Sequence, residues 1–167
     1  MNRATKFISF FKRVQKLLYS LALFNSKIFY SFIKFQTLPS IEHFNVLKKY
    51  DAKSYVDVGG NKGQFALAAS YINPDANIIS IEPLSGPFTI LEKIFQNNSN
   101  IVCINSACGQ SSGTLKMNIS AKEDSSSLLE ISASQVEYFP GTHKIDTEMV
   151  DIKPLNSLVH LNKMSHP

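Results

Sequence analysis

The stretch Tyr55-Val56-Asp57-Val58-Gly59-Gly60-Asn61-Lys62-Gly63-Gln64-Phe65, with Ile81-Glu82-Pro83 behind it, limits what this chain can fold into more than any other feature. Val56 and Val58 give a short strand its β-branched bulk, which predicts Ser54–Val58. Gly59 and Gly63 allow positive φ, or close approach of backbone to a ligand, where a side chain would clash. Gly63 to Ile72 reads as a helix closed by Pro74, and Asn77–Ile81 as the next strand. Strand, glycine turn, helix, strand is the first half of a doubly wound nucleotide-type site. Glu82 falls 19 residues after Gly63, where such sheets place an acid that accepts hydrogen bonds from ribose hydroxyls.

The alternation continues. Ser85-Gly86-Pro87 predicts a helix start, with Ser85 as cap and Pro87 in the first turn, and Asn97-Asn98-Ser99-Asn100 ends it. Strand Ile101–Ile104 leads into Asn105-Ser106-Ala107-Cys108-Gly109. The period then changes. Leu115, Met117 and Ile119 alternate with Lys116 and Asn118 across Thr114–Ser120, as in a strand with one wetter face, and Glu148–Ile152 is a second such strand, expected antiparallel to the first. Ala121–Ser127 is polar and loop-like. Thr37-Leu38-Pro39-Ser40 breaks the N-terminal helical pattern, and Ser40 can cap a helix running to about Tyr50. Two segments result: a basic amphipathic helical extension over 1–38 and an α/β domain over 39–167.

A length of 167 residues, 44% apolar and 18% charged, suits one folded domain with a core and excludes wholesale disorder. Cys103 and Cys108 make neither a disulfide framework nor a zinc site; Cys103 sits in an apolar run as a core residue, and a reducing, cytosolic setting fits. His43, His143, His160 and His166 show no metal spacing and no triad, so no metal is expected and no catalytic base is nominated. The net charge of +4 is uneven: Arg3, Lys6, Lys12, Arg13, Lys16, Lys27 and Lys34 lie in residues 1–36 with no acid among them. The remainder carries ten basic and thirteen acidic side chains, which gives no support to a nucleic-acid partner.

Within 5–36, Lys6, Ser9, Arg13, Lys16, Ser20, Lys27, Ser31 and Lys34 share one helical face, and Phe7, Phe11, Val14, Leu18, Leu21, Ile28, Phe32 and Phe35 another. No run of about 18 apolar residues is present for a membrane span, and Lys12, Arg13 and Lys16 interrupt any signal-peptide core. Two readings stand. The helix packs on its own domain or a partner subunit, or it lies in a membrane interface with lysines on anionic headgroups. The second makes residues 1–36 a peripheral contact at the inner face of the membrane.

The glycine turn itself narrows the ligand. A P-loop closes with Lys-Ser/Thr, which Gly63-Gln64-Phe65 lacks. A dinucleotide fingerprint from Gly59 requires glycines at 61 and 64, where Asn61 and Gln64 stand. What remains, D-V-G-x-x-x-G with an acid after the second strand, suits S-adenosylmethionine (SAM), which has ribose and adenine but no phosphate. Asp57 at the strand tip can orient the turn and favour an ammonium or sulfonium charge. A short G-x-x-x-G also serves as a plain helix-packing turn, and a nicotinamide-dependent oxidoreductase stays open as an alternative.

Taken in order, YVDVGGNKGQFALAAS, IISIEPLSGPF and INSACGQSSGTLKMNIS, with the Asp124-Ser125-Ser126-Ser127 loop, resemble the FkbM family of SAM-dependent methyltransferases over about residues 50–158. The resemblance implies a class I methyltransferase, Rossmann-like parallel sheet and methyl transfer to oxygen on a saccharide or related small metabolite. It implies that Asp57, Gly59, Gly60, Asn61, Gly63 and Glu82 hold SAM, with Asn105, Ser106 and Ala107 near the adenine edge and Ser125 and Ser126 toward the substrate. One departure stands out. Val150-Asp151-Ile152-Lys153-Pro154-Leu155-Asn156-Ser157-Leu158 has Asn156 where the family has aspartate, and no I-D-x-x-G-x-E strand follows. The expected sheet is therefore incomplete at the C-terminus, with Ser54–Val58 as an open edge for the N-terminal helices or a partner chain to cover. Truncation is the favoured explanation, and a non-catalytic remnant or partner-dependent binding module is the alternative.

Overall fold

The computed structural model describes residues 26–161. Strands β1 (Ser54–Val58), β2 (Asn77–Ile81) and β3 (Ile101–Ile104) form a parallel sheet in the order β1-β2-β3. Val56 lies opposite Ile79, and Ile79 opposite Val102. Helices α1 (Ser26–Phe35), α2 (Phe44–Tyr50), α3 (Gln64–Ile72) and α4 (Ser85–Phe95) precede and join these strands. A second sheet, β4 (Ala107–Cys108), β5 (Gly113–Ser120) and β6 (Lys144–Lys153), has the order β4-β6-β5. The short helix α5 (Ala133–Tyr138) interrupts the β5–β6 connection, and α6 (Leu155–Leu161) follows β6. The chain is thus mixed α/β around a parallel three-stranded sheet with helices.

Period-2 alternation in β2 explains the layering. Ile78 packs toward α2, α3 and α4 with Phe44, Leu67, Leu91 and Phe95. Ile79 and Ile81 point the other way, onto Leu158 of α6. Both faces of the central strand are covered, which is why β2 reads as a continuous apolar run. The second sheet has its own core of Met117, Val150, Ile152 and Ala107, and Leu84 from the loop after β2 reaches into it.

The strands expected at 54–58, 77–81 and 101–104 form at those residues, and β5 and β6 pair antiparallel with Met117 opposite Glu148. The two-residue β4, which runs parallel to β6 with Ala107 opposite Ile152, is an addition that no two-residue pattern announces. The expected caps differ. Ser40 does not cap a helix: a 3-10 turn over Ile41–His43 comes first, and the Ser40 side chain makes no capping bond. Ser85 is the first residue of α4, and Leu84 takes the cap position in extended conformation.

The open edge is present. Among the described residues nothing pairs with β1 on the side away from β2. Val56 and Val58, on the face of β1 that α6 leaves bare, are 42% and 54% exposed. Helix α1 does not cover them, since Ile28 borders a small cavity together with Leu67 and Tyr71, and Lys27 stands 4.9 Å from the centre of the Phe95 ring. The helical pattern expected upstream of Ser26 lies outside the described residues. Within α1 the expected faces are altered: Ser31, assigned to the polar face, is fully buried and donates from Oγ to the Lys27 carbonyl at 2.8 Å. It is small enough to let α1 approach, and its hydroxyl is satisfied by its own helix.

Candidate ligand site at the glycine turn

The turn after β1 is built by backbone that favours glycine. Gly59 (φ 80°), Asn61 (φ 47°) and Gly63 (φ 90°) are all left-handed. The Gly59 and Gly60 amides both donate to the Ile81 carbonyl, at 2.9 and 3.0 Å, which docks the turn on the end of β2. Gly60 has no room for a side chain: an added Cβ would collide with Ser80 Oγ and come within 3.0 Å of Asp57 Oδ2. Gly63 lies against Phe95 and Leu91 at the start of α3.

A cavity of about 550 Å³ opens on this turn, lined by Asp57, Gly59, Gly60, Asn61, Gln64 and Phe65, by Ser40, Glu42 and His43 of the 3-10 turn, and by Asp124. The size is within the usual range for small-molecule sites. Among the described residues the lining includes three carboxylates, Glu42, Asp57 and Asp124, and no lysine or arginine. Ser80 Oγ donates to Asp57 Oδ2 at 2.8 Å. Burial nevertheless pushes the Asp57 carboxyl above its ordinary pKa, against the opposing pull of the Ser80 hydroxyl and of His43. His43 itself packs edge-on against Phe65, their ring centres 5.5 Å apart.

Two buried side-chain atoms among the described residues lack any hydrogen-bond partner, Ser40 Oγ and Asn61 Oδ1. Both residues line this cavity. Buried polar atoms are nearly always satisfied, so a pair of unmet groups on one cavity wall fits a polar ligand supplying the missing bonds.

Glu82 is placed differently from the turn residues. It is 5% exposed and does not line the cavity. Its two carboxylate oxygens accept from the Asn61 amide at 2.8 Å and the Leu84 amide at 2.9 Å. Burial raises its pKa, opposed by those two amides and reinforced by the charges of Asp57 and Glu148. Glu82 therefore holds the glycine turn in shape from beneath.

The other expected site residues divide. Asn105 is exposed and donates from Nδ2 to the Glu82 and Pro83 carbonyls, at 2.8 and 3.0 Å, so it braces the acid's backbone. Ser106 and Ala107 are buried at the joint between the sheets, where Ser106 Oγ donates to the Asp151 carbonyl at 3.2 Å. Ser126 Oγ accepts from the Ser120 amide at 3.1 Å and so pins its loop. Ser125 borders a second cavity, also about 550 Å³, lined by Ser132, Ser134, Gln135, Tyr138, Phe139 and Thr142. Its neighbour Asp124 borders the first. The 3-10 turn Glu123–Ser125 thus stands between the two cavities.

Sequence reasoning missed Ser40, Glu42, His43 and Asp124 as site residues. No spacing links 40–43 to the glycine turn; the link is tertiary, made where the Ser40 amide donates to the Gln64 carbonyl at 3.0 Å. Cys103 is partly buried against the core, and burial pushes its thiol up to about 11. No cluster of three or more metal-ligating side chains occurs among the described residues. Set against protein-family models, curated proteins and solved structures, the chain matches none.

Proposed function

We propose that this chain is a SAM-binding domain of class I methyltransferase type that serves methyl transfer to a hydroxyl oxygen of a saccharide or similar metabolite. The observation that carries the reading is the cavity lining: a left-handed glycine turn beside the desolvated carboxylate of Asp57, with no lysine or arginine among the described lining residues. That wall favours a ligand with a positive sulfonium and ammonium and disfavours a pyrophosphate. The same charge balance argues against a nicotinamide dinucleotide.

SAM supplies, when bound, a methyl group activated by its sulfonium. The chain's own residues bind and orient. Asp57 offers a desolvated carboxylate to positive charge, and Asn61 Oδ1 and Ser40 Oγ offer unmet hydrogen-bonding capacity. Glu82 keeps the turn in its left-handed conformation by holding the Asn61 amide. The neighbouring cavity suits the acceptor: its described lining is uncharged, rich in hydroxyls, and carries the exposed rings of Tyr138 and Phe139. Such a wall fits a neutral polyhydroxylated ligand stacking on aromatic faces.

Isothermal titration of the full chain with SAM tests the reading. SAM is expected to bind, and Asp57→Asn to weaken it roughly tenfold, the scale of one charge-assisted contact. NADH binding in place of SAM binding overturns the proposal. The open edge of β1 supports a second reading, a module whose sheet is completed by another chain before any ligand binds. Absence of SAM binding by the isolated chain, restored by a partner that adds a strand to β1, would favour it.

A further inference from the structure

Helix α1 faces two ways. Its inner side carries Ile28 and Ser31, both fully buried. On its outer side Phe29 and Ile33, one turn apart, are 54% and 64% exposed, and Tyr30 stands beside them. Lys34 donates from Nζ to Tyr30 Oη at 2.8 Å and lies 5.2 Å from the centre of that ring. The apolar stripe of α1 is thus wider than the side it buries, and the fold gains nothing from leaving Phe29 and Ile33 in water. On the same side of the parallel sheet α2 exposes Val46 and Tyr50, with Lys48 and Lys49 between them in sequence.

Charge selects what covers this face. Residues 1–36 hold seven cations and no carboxylate. A second copy offering the same face would bring like charges together. An anionic lipid surface offers both things the face lacks, an acyl boundary for the rings and phosphate oxygens for the lysines. We propose that α1 docks this protein on an anionic bilayer surface. Phe29 and Ile33 enter the headgroup–acyl boundary, Lys34 stays at phosphate level, and the basic residues that precede α1 add long-range attraction.

Sedimentation of the full chain with vesicles tests this. The chain is expected to sediment with phosphatidylcholine–phosphatidylglycerol vesicles, to release as salt is raised, and to remain in solution with phosphatidylcholine alone. The double variant Phe29→Ser, Ile33→Ser removes two solvent-facing apolar groups and should lose tenfold or more of the affinity, roughly the transfer value of those side chains. Lys34→Glu, on the exposed surface, should weaken binding by roughly fivefold or more even if the double variant proves unstable. Wild-type protein that ignores anionic vesicles overturns the proposal. So does vesicle binding untouched by these substitutions, or a dimer that they dissociate in protein showing no vesicle binding.

Discussion

Glu82 is the residue whose role the fold redefines. Both of its oxygens already serve backbone amides, of Asn61 and Leu84. Glu82→Ala is therefore expected to destabilise the ligand-free protein by about 1.5–3 kcal/mol, measured by urea unfolding. An unchanged midpoint would show that the buttress is dispensable. Gly63→Ala combines a left-handed φ of 90° with a Cβ 2.8 Å from Phe95 and 2.9 Å from Leu91. A loss of about 1–3 kcal/mol is expected in the same measurement. Asp57 carries the pH dependence. Its raised pKa means that, between the unfolded and folded values, the native state keeps a proton the unfolded chain has lost. Its contribution is thus fully present below the unfolded pKa and is lost as pH rises through the folded one. Acidification from neutrality should therefore stabilise the wild type relative to Asp57→Asn; parallel pH curves for the two would refute the assignment.

At the scale of elements, β1 is the exposed liability. Five residues carry it, and its bare face shows Val56 and Val58. Unpaired amides and carbonyls beside apolar side chains template association between chains. Val58→Lys should leave stability within about 0.5 kcal/mol of wild type, because the site is solvent-exposed. It should also reduce concentration-dependent light scattering. Scattering that persists unchanged would place the association elsewhere. The strand periods of β1, β2 and β3 were readable because each is a short β-branched run bounded by turn residues. The caps were not. Ser40 and Ser85 are good capping types, but the Ser40 amide bonds to the Gln64 carbonyl and the Ser85 amide to Glu148 Oε1, partners that no local pattern reveals.

Across the molecule, two cores meet at the loop after β2. Leu84 packs with the second sheet while the Glu82 amide donates to the Ile104 carbonyl of the first, at 3.0 Å. Ser106 completes the joint through the Asp151 carbonyl. Ser106→Ala removes the hydroxyl's bonds to the Ala107 and Asp151 carbonyls, and a loss of about 0.5–1.5 kcal/mol is expected. Amide exchange should quicken in β6 before β2, since β6 depends on the joint and β2 is enclosed by its own neighbours. Uniform acceleration across both strands would mean that the two sheets open as one unit.

Apolar period and glycine placement act within a few residues, so the βαβ alternation, the glycine turn and the antiparallel pair are legible along the chain. Asp57, Gly59, Gly60 and Asn61 were readable as a wall for the same reason. What faces that wall is set by contacts between distant segments. These bring Ser40, Glu42, His43 and Asp124 to the cavity, turn Glu82 beneath the turn, and send Ser106 and Ala107 to the joint between sheets. Those placements depend on backbone groups finding partners and apolar groups finding burial across distant segments, and a side chain's type does not say which of its neighbours it will meet.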